Sequence, residues 1–183
     1  MRSVKVVAYD SIWQHLYLDE MNKLKEIFKG QMIEIFHIGS TAVPGLVSKP
    51  IIDMMLVVKD ISQVDLLNEP LIRLGYEPKG ENGIKGRRYF QKGQDNRSHH
   101  LHIYQTGDEN IKRHLAFRDY LRTFSGEAER YGHLKAELAK LYLFDIDSYI
   151  AGKNIFVQVM EIKALDWYDV QLEKKEQLIL KFP

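Results

Sequence analysis

An α+β fold is what this chain predicts: a small mixed sheet flanked by helices, followed by a helical C-terminal half. Three observations carry the prediction. Short runs rich in β-branched and aromatic residues fall at 34–38, 49–58, 87–92 and 98–104, all in the first part of the chain. From Glu109 onward the apolar spacing becomes continuously helical. With 183 residues, 45% of them hydrophobic, the chain can bury one good core, and it reads as a single domain. That domain divides into a sheet-containing part at about 1–107, a helical part at about 108–172 and a tail at 173–183.

Each element has its own local reason. Residues 4–7 read as a short edge strand. Residues 11–29 read as a helix, because Trp13, Leu16, Met21, Leu24, Ile27 and Phe28 recur at helical spacing, with Asp10 or Ser11 as cap and Gly30 as stop. Residues 34–38 form a strand that ends in Gly39-Ser40-Thr41, the opening of a turn or short helix. Residues 49–58 form a second strand, apolar enough to be buried on both faces. Ile61, Val64, Leu67, Leu71 and Leu74 predict a helix over 61–74, which Pro70 breaks or kinks and Gly75 ends. Residues 76–86 are loop-rich, and the strands at 87–92 and 98–104 are joined by a polar, hairpin-like link over 93–98. Helices follow at 109–124, 127–143 and 148 to about 175, with Ser125 and Asp147 as caps. Tyr131, Leu134, Leu138, Leu141 and Tyr142 form a core stripe, as do Phe156, Val157, Met160 and Trp167. In the tail, Leu178, Ile179 and Leu180 are expected to pack back on the domain or on a second subunit, so a homo-oligomer stays open.

The chemistry concentrates where the strand at 34–38 runs into His37-Ile38-Gly39-Ser40-Thr41. Free backbone N–H groups and hydroxyls at such a turn suit phosphate oxygens, and glycine lets a ligand approach the backbone. Asp53, in the next strand, is a carboxylate among apolar residues and needs a partner or a metal. The alternative is a tight turn with Asp53 paired to Lys49 or an arginine. Alternation along 98–104 puts His100, His102 and Tyr104 on one face. Two such imidazoles, with Asp53 or His37, make a mixed nitrogen and oxygen set suited to Zn²⁺, Mn²⁺ or Fe²⁺; alternatively the histidines line an open face and bond to neighbours. One of Arg87 and Arg88 must share that face. Arg118 and Arg122, four apart on a helix, either clamp a phosphate or form a solvated face with Asp119.

The segment HIGSTAVPGLVSKPIID, together with the run from Ala116 to Arg122, resembles the GrpB family, which is related to the nucleotidyltransferase superfamily. The resemblance extends over nearly the whole chain, from Val4 to the helix around Lys153, a position that matches a recurring lysine of the family. It implies a nucleotidyltransferase-like fold in which a Gly-Ser turn holds nucleotide phosphates and strand carboxylates hold Mg²⁺. The chain departs from that pattern at Asp53-Met54-Met55, where Met55 occupies the place of a second carboxylate and cannot bind Mg²⁺. Two functions are therefore expected. In the first, an enzyme transfers a nucleotidyl or phosphoryl group: Gly39, Ser40, Thr41 and Arg88 hold phosphate, a divalent metal (Mg, Mn or Zn) sits on Asp53 with His100, His102 and His37, and Lys49, Arg118 and Arg122 neutralise developing charge. In the second, a non-catalytic module binds a nucleotide or phosphorylated small molecule.

Composition removes other classes. Lys and Arg number 26 against 25 Asp and Glu, a net charge of +1, so no overall basic field draws the chain to nucleic acid or an anionic membrane. There is no cysteine, so no disulfide or thiolate metal site forms. The longest apolar run, 54–58, is far too short to span a bilayer. The expectation is a soluble cytoplasmic protein.

Overall fold

Five strands join in one mixed sheet in the computed structural model, which describes residues 3–181 and the side chains of residues 3–177. Strands β1 (Met32–Ile38), β2 (Ile52–Val58), β3 (Tyr76–Pro78), β4 (Arg88–Lys92) and β5 (His99–Gln105) lie in the order β1-β2-β5-β4-β3. Only β2 and β5 run parallel; the other neighbours are antiparallel. A parallel pair needs a long crossover. Here it is supplied by a 3₁₀ turn (Ile61–Leu67), helix α2 (Asn68–Arg73) and the β3–β4 hairpin.

Alternation along the central strands sorts the core into two layers. Met54, Leu56, Leu101 and Ile103 point to one side, where they pack with Trp13, Tyr17 and Leu24 of α1 (Ile12–Ile27) and Leu71 of α2. Met55 and Tyr104 point to the other side and pack with Ile38 and with Ile111 and Leu115 of α3 (Glu109–Thr123). Helices α4 (Ser125–Leu141) and α5 (Ile146–Lys181) complete that second layer. Val43 and Leu46, just after the Gly-Ser turn, are buried there with Ala116, Tyr131 and Met160. Each such buried aliphatic or aromatic side chain contributes about 1.5–3 kcal/mol, so the turn is anchored by its own sequel.

Several boundaries differ from the sequence reading. Residues 4–7 form no strand: Val7 makes a single bridge to Ser48, while Val4 is buried with Leu138, Ala139 and Tyr149. The segment at 61–74 is a 3₁₀ turn followed by α2, and the change comes before Pro70. Pro70 is the third residue of α2, in the first turn, where a missing N–H removes no helical hydrogen bond. The expected loop at 76–86 begins with β3, paired to β4. Asp10 caps α1 through the Ile12 amide at 2.9 Å, and Asp145, not Asp147, caps α5 through the Ser148 amide at 3.0 Å. Ser125 is the first residue of α4 rather than its cap. Helix α5 runs to Lys181, past the expected end near 175, and the side chains of Leu178, Ile179 and Leu180 lie outside the described residues.

Candidate functional site

Sheet register brings the turn, the aspartate and the histidines together. Asp53 pairs with Ile38 on one side and with His100 on the other, and Met55 pairs with His102. Asp53, Met55, His100 and His102 therefore share the face that α3 covers. Asp53 Oδ1 lies 2.9 Å from His100 Nδ1 and 4.0 Å from His102 Nε2. Burial alone would raise the Asp53 pKa, but the His100 hydrogen bond and the charges of His100, His102 and Lys49 bring it down to about 2. The carboxylate is ionised at neutral pH.

Gly39 closes on this carboxylate from the end of β1. Its φ is +68°, and a β-carbon there would stand 2.6 Å from Asp53 Oδ2. Only glycine fits, on both conformational and steric grounds. Beside the pair opens a cleft of about 340 Å³ between sheet and helices, lined by Gly39, Ser40, Asp53 and His102, with His114, Tyr131 and Lys153 among the helical residues facing them. Arg113 and Glu161 also line it and are joined at 2.6 Å.

Not all of the expected residues reach this cleft. His37 pairs with Met54 in the sheet, so its ring lies on the opposite face, stacked on Tyr17 with centroids 4.9 Å apart. Burial, helped by Arg122 and Arg118, lowers its pKa to about 4, and it serves as a neutral packing group rather than a ligand beside Asp53. The Thr41 hydroxyl is engaged on that same side, 3.0 Å from His37 Nε2 and 3.3 Å from the Ile51 carbonyl. Arg88 likewise points away: it forks onto Asp65 at 2.8 and 2.9 Å, and Arg87 takes the histidine face instead. Arg118 and Arg122 do not clamp an anion. Arg118 donates to the His37 carbonyl (3.1 Å) and forks onto Asp119 (2.7 and 3.0 Å), while Arg122 donates to the Ala42 carbonyl (2.8 Å). Both hold the backbone of the Gly-Ser turn from behind. Lys49 sits with its ammonium 5.3 Å from the Tyr149 ring centroid, close enough for its charge to act on Asp53.

Other groups arrive that the strand motifs did not announce. Arg87 is buried and donates to the Glu81 and Asn82 carbonyls, and it stands 3.4 Å from His102 Nδ1. A guanidinium only donates, so His102 accepts at Nδ1 and turns Nε2–H toward Asp53. Burial lowers the His102 pKa to about 4 and that of His114 well below its ordinary value. The helical lysines are the larger surprise. Lys135 is 2% exposed, its Nζ has no hydrogen-bond partner among the described residues, and it lies 4.5 Å from the centroid of the Tyr131 ring, one turn earlier on α4. Lys153 lies 5.4 Å from the Tyr149 centroid, and burial lowers its pKa against the pull of Asp53. The Tyr131–Lys135 spacing of one helical turn was visible in the sequence; nothing there said that the lysine would be buried.

The donor set does not fit a divalent metal as it is arranged. Asp53 Oδ1 is taken by His100, Glu161 is paired with Arg113, and Met55 is fully buried where a second carboxylate would be needed. Among the described residues, no three His, Cys, Asp or Glu side chains are grouped to hold an ion. Nor is any helix among them long and apolar enough to cross a membrane.

A family model described as GrpB protein matches residues 3–163. The UPF0157 protein YqkA of Bacillus subtilis (strain 168) is 44% identical over 166 residues, which cover 91% of this chain and 48% of that protein. The chain thus spans about half the length of that relative. The crystal structure of conserved protein GrpB from Enterococcus faecalis superimposes with a TM-score of 0.88 at 44% identity, over 90% of this chain and 99% of that one. The Cid1 poly(U) polymerase with MgGTP bound matches with a TM-score of 0.51 at 17% identity, over 74% of this chain and 44% of its own, a likeness of fold alone. The fold is thus the nucleotidyltransferase-like α+β arrangement.

Proposed function

The chain belongs to the GrpB family, and we propose that its cleft binds the phosphate groups of a nucleotide or another phosphorylated small molecule in the cytoplasm. One observation carries the reading: the backbone at Gly39 is held bare against Asp53, where any β-carbon would collide, at the mouth of a cleft that also presents Ser40, Arg113 and Lys153. With no β-carbon at Gly39, the Ser40 hydroxyl and the Lys153 ammonium suit the oxygens of a phosphate, Arg113 being already paired with Glu161. Support comes from the shared fold with Cid1, whose structure has MgGTP bound. The test is a thermal-shift and calorimetry panel of nucleoside mono-, di- and triphosphates, each with EDTA, Mg²⁺, Mn²⁺ or Zn²⁺. Saturation of at least one phosphate ligand is expected, with tenfold or greater loss in Ser40→Ala and Lys153→Met; no response to any phosphate overturns the reading.

A second reading, group transfer, is favoured by the 2.9 Å contact between Asp53 and His100. With His100 Nδ1–H donating to Asp53, Nε2 is left to take the proton of an acceptor hydroxyl while that oxygen bonds to phosphorus and the leaving phosphate departs. Under this reading His100→Gln lowers turnover of a nucleoside triphosphate roughly 100-fold with phosphate affinity retained. Turnover that is absent in the unaltered protein leaves the binding role alone.

A further inference from the structure

We propose that a second hollow, beside the cleft and distinct from it, binds a small hydroxylated anion: a sugar phosphate or a sugar acid. Its volume of about 400 Å³ is that of a small-molecule site, and it lies where the N-terminal segment, the approach to β2 and the loop before β5 meet. Lys5, Lys49, Asp95 and Arg97 stand on its walls. No residue lines both this hollow and the cleft.

Charge sets the sign of the ligand. Three cations and one acid line the hollow, in a chain whose net charge is only +1. Arg97 donates through Nε to the Gln94 carbonyl of its own loop at 3.2 Å, and its two terminal nitrogens have no acceptor among the described residues. Neither Arg97 nor Lys5 makes an ion pair there. A planar guanidinium with N–H groups to spare takes the oxygens of a phosphate or carboxylate in pairs. The rest of the wall sets the neutral part of the ligand. Asp95 accepts hydrogen bonds, and Ser3 and Asn96 both donate and accept, so sugar hydroxyls find partners of either kind.

The walls are fixed before any ligand arrives. The Val4 amide donates to the Leu143 carbonyl at 2.7 Å, and Val7 and Ser48 exchange backbone hydrogen bonds at 2.8 and 2.9 Å, which ties down the segments carrying Lys5 and Lys49. In the third wall, Gly93 has a φ of +94°, and a β-carbon there would stand 2.3 Å from the Asn96 carbonyl oxygen. Only glycine allows the chain to return so tightly, and the return sets Asp95, Asn96 and Arg97 around the opening. Binding to a preorganised site costs little ordering.

Two observations make the hollow the cleft's neighbour. Ile51, on its wall, precedes Asp53 by two residues. The Tyr149 ring centroid lies 5.3 Å from the ammonium of Lys49, in the hollow, and 5.4 Å from that of Lys153, in the cleft. The protein thus has room for two small molecules side by side.

Ribose 5-phosphate and gluconate, with uncharged ribose as the control, are titrated into the full chain by calorimetry and amide NMR. Saturable binding of at least one of the two anions is expected, with amide shifts at Lys5, Asn96 and Arg97 and no binding of ribose. Lys5→Met and Arg97→Gln should each lose roughly tenfold or more in affinity, whereas the exposed Lys29→Met should bind as the unaltered protein does. Binding of ribose 5-phosphate alone assigns sugar phosphates as the ligand class, and binding of gluconate alone assigns sugar acids. Failure of both anions to bind, or full affinity in both variants, overturns the second site. Shifts confined to Gly39, Ser40 and other cleft amides overturn it too, and leave the phosphate cleft standing.

Discussion

At the scale of the residue, two side-chain choices carry the sharpest predictions: the absence of one at Gly39 and the burial of one at Lys135. With φ at +68° and a β-carbon 2.6 Å from Asp53 Oδ2, Gly39→Ala both strains the backbone and displaces the carboxylate. The expected cost is about 1–3 kcal/mol, read as a lower melting temperature together with a lost Asp53–His100 contact in the histidine NMR spectrum. Lys135 predicts the opposite sign. Burial, with Lys153 and Lys49 nearby, lowers its pKa from 10.5 to about 7, so between those values the unfolded chain binds more protons and stability rises with pH. Below about pH 7 the lysine exerts its full destabilisation. Lys135→Met should therefore stabilise the protein by roughly 1–4 kcal/mol at pH 6.5 and by clearly less at pH 9.5; an equal gain at both would mean that the folded lysine keeps its proton. Residue identity in the sequence showed the glycine, the aspartate and the histidines, because their spacing on strands fixes their faces once a register is known. It could not decide between Arg87 and Arg88, since that parity depends on where β4 pairs with β5, nor place His37, whose face follows from pairing with Met54.

At the scale of the element, α3 acts as a brace for the Gly-Ser turn. Arg118 and Arg122, one helical turn apart, reach the carbonyls of His37 and Ala42, which bracket Gly39 to Thr41. Charge-assisted bonds of this kind contribute about 1.5–3 kcal/mol each, so an Arg118→Met, Arg122→Gln pair should speed amide exchange of residues 39–43 by tenfold or more while α3 remains helical. Exchange that is unchanged would show that the buried Val43 and Leu46 alone fix the turn. The helices themselves were legible because long periodic stretches declare themselves. Short elements were not: β3 is three residues of an otherwise polar stretch, stabilised by pairing with β4 rather than by any local preference, and the bridge at Val7 depends on Ser48, far along the chain. The brace was hidden for a related reason. Spacing places two guanidiniums on one face but does not say that their acceptors are backbone carbonyls of a distant turn.

At the scale of the whole molecule, the cleft lies on one face of the sheet, beneath the helical layer, while the layer under α1 packs on the opposite face. Trp13 is buried in the layer under α1, and Trp167 packs in the helical layer against Tyr120 and Phe124. Each layer thus carries one of the chain's two tryptophans. The central strands β2 and β5 contribute alternate side chains to both layers, so loosening one removes the support of the other, and the two layers should unfold together. Single-tryptophan forms, Trp13→Phe and Trp167→Phe, followed by fluorescence in urea, are expected to give coincident midpoints. A phosphate ligand bridging Asp53 on the sheet and Lys153 on α5 must then raise both midpoints equally, by about 2.7 kcal/mol of stability at one hundred times its dissociation constant. A ligand that shifts the Trp167 transition alone would place its contacts within the helical half, away from the turn, and would detach the binding site from the sheet carboxylate.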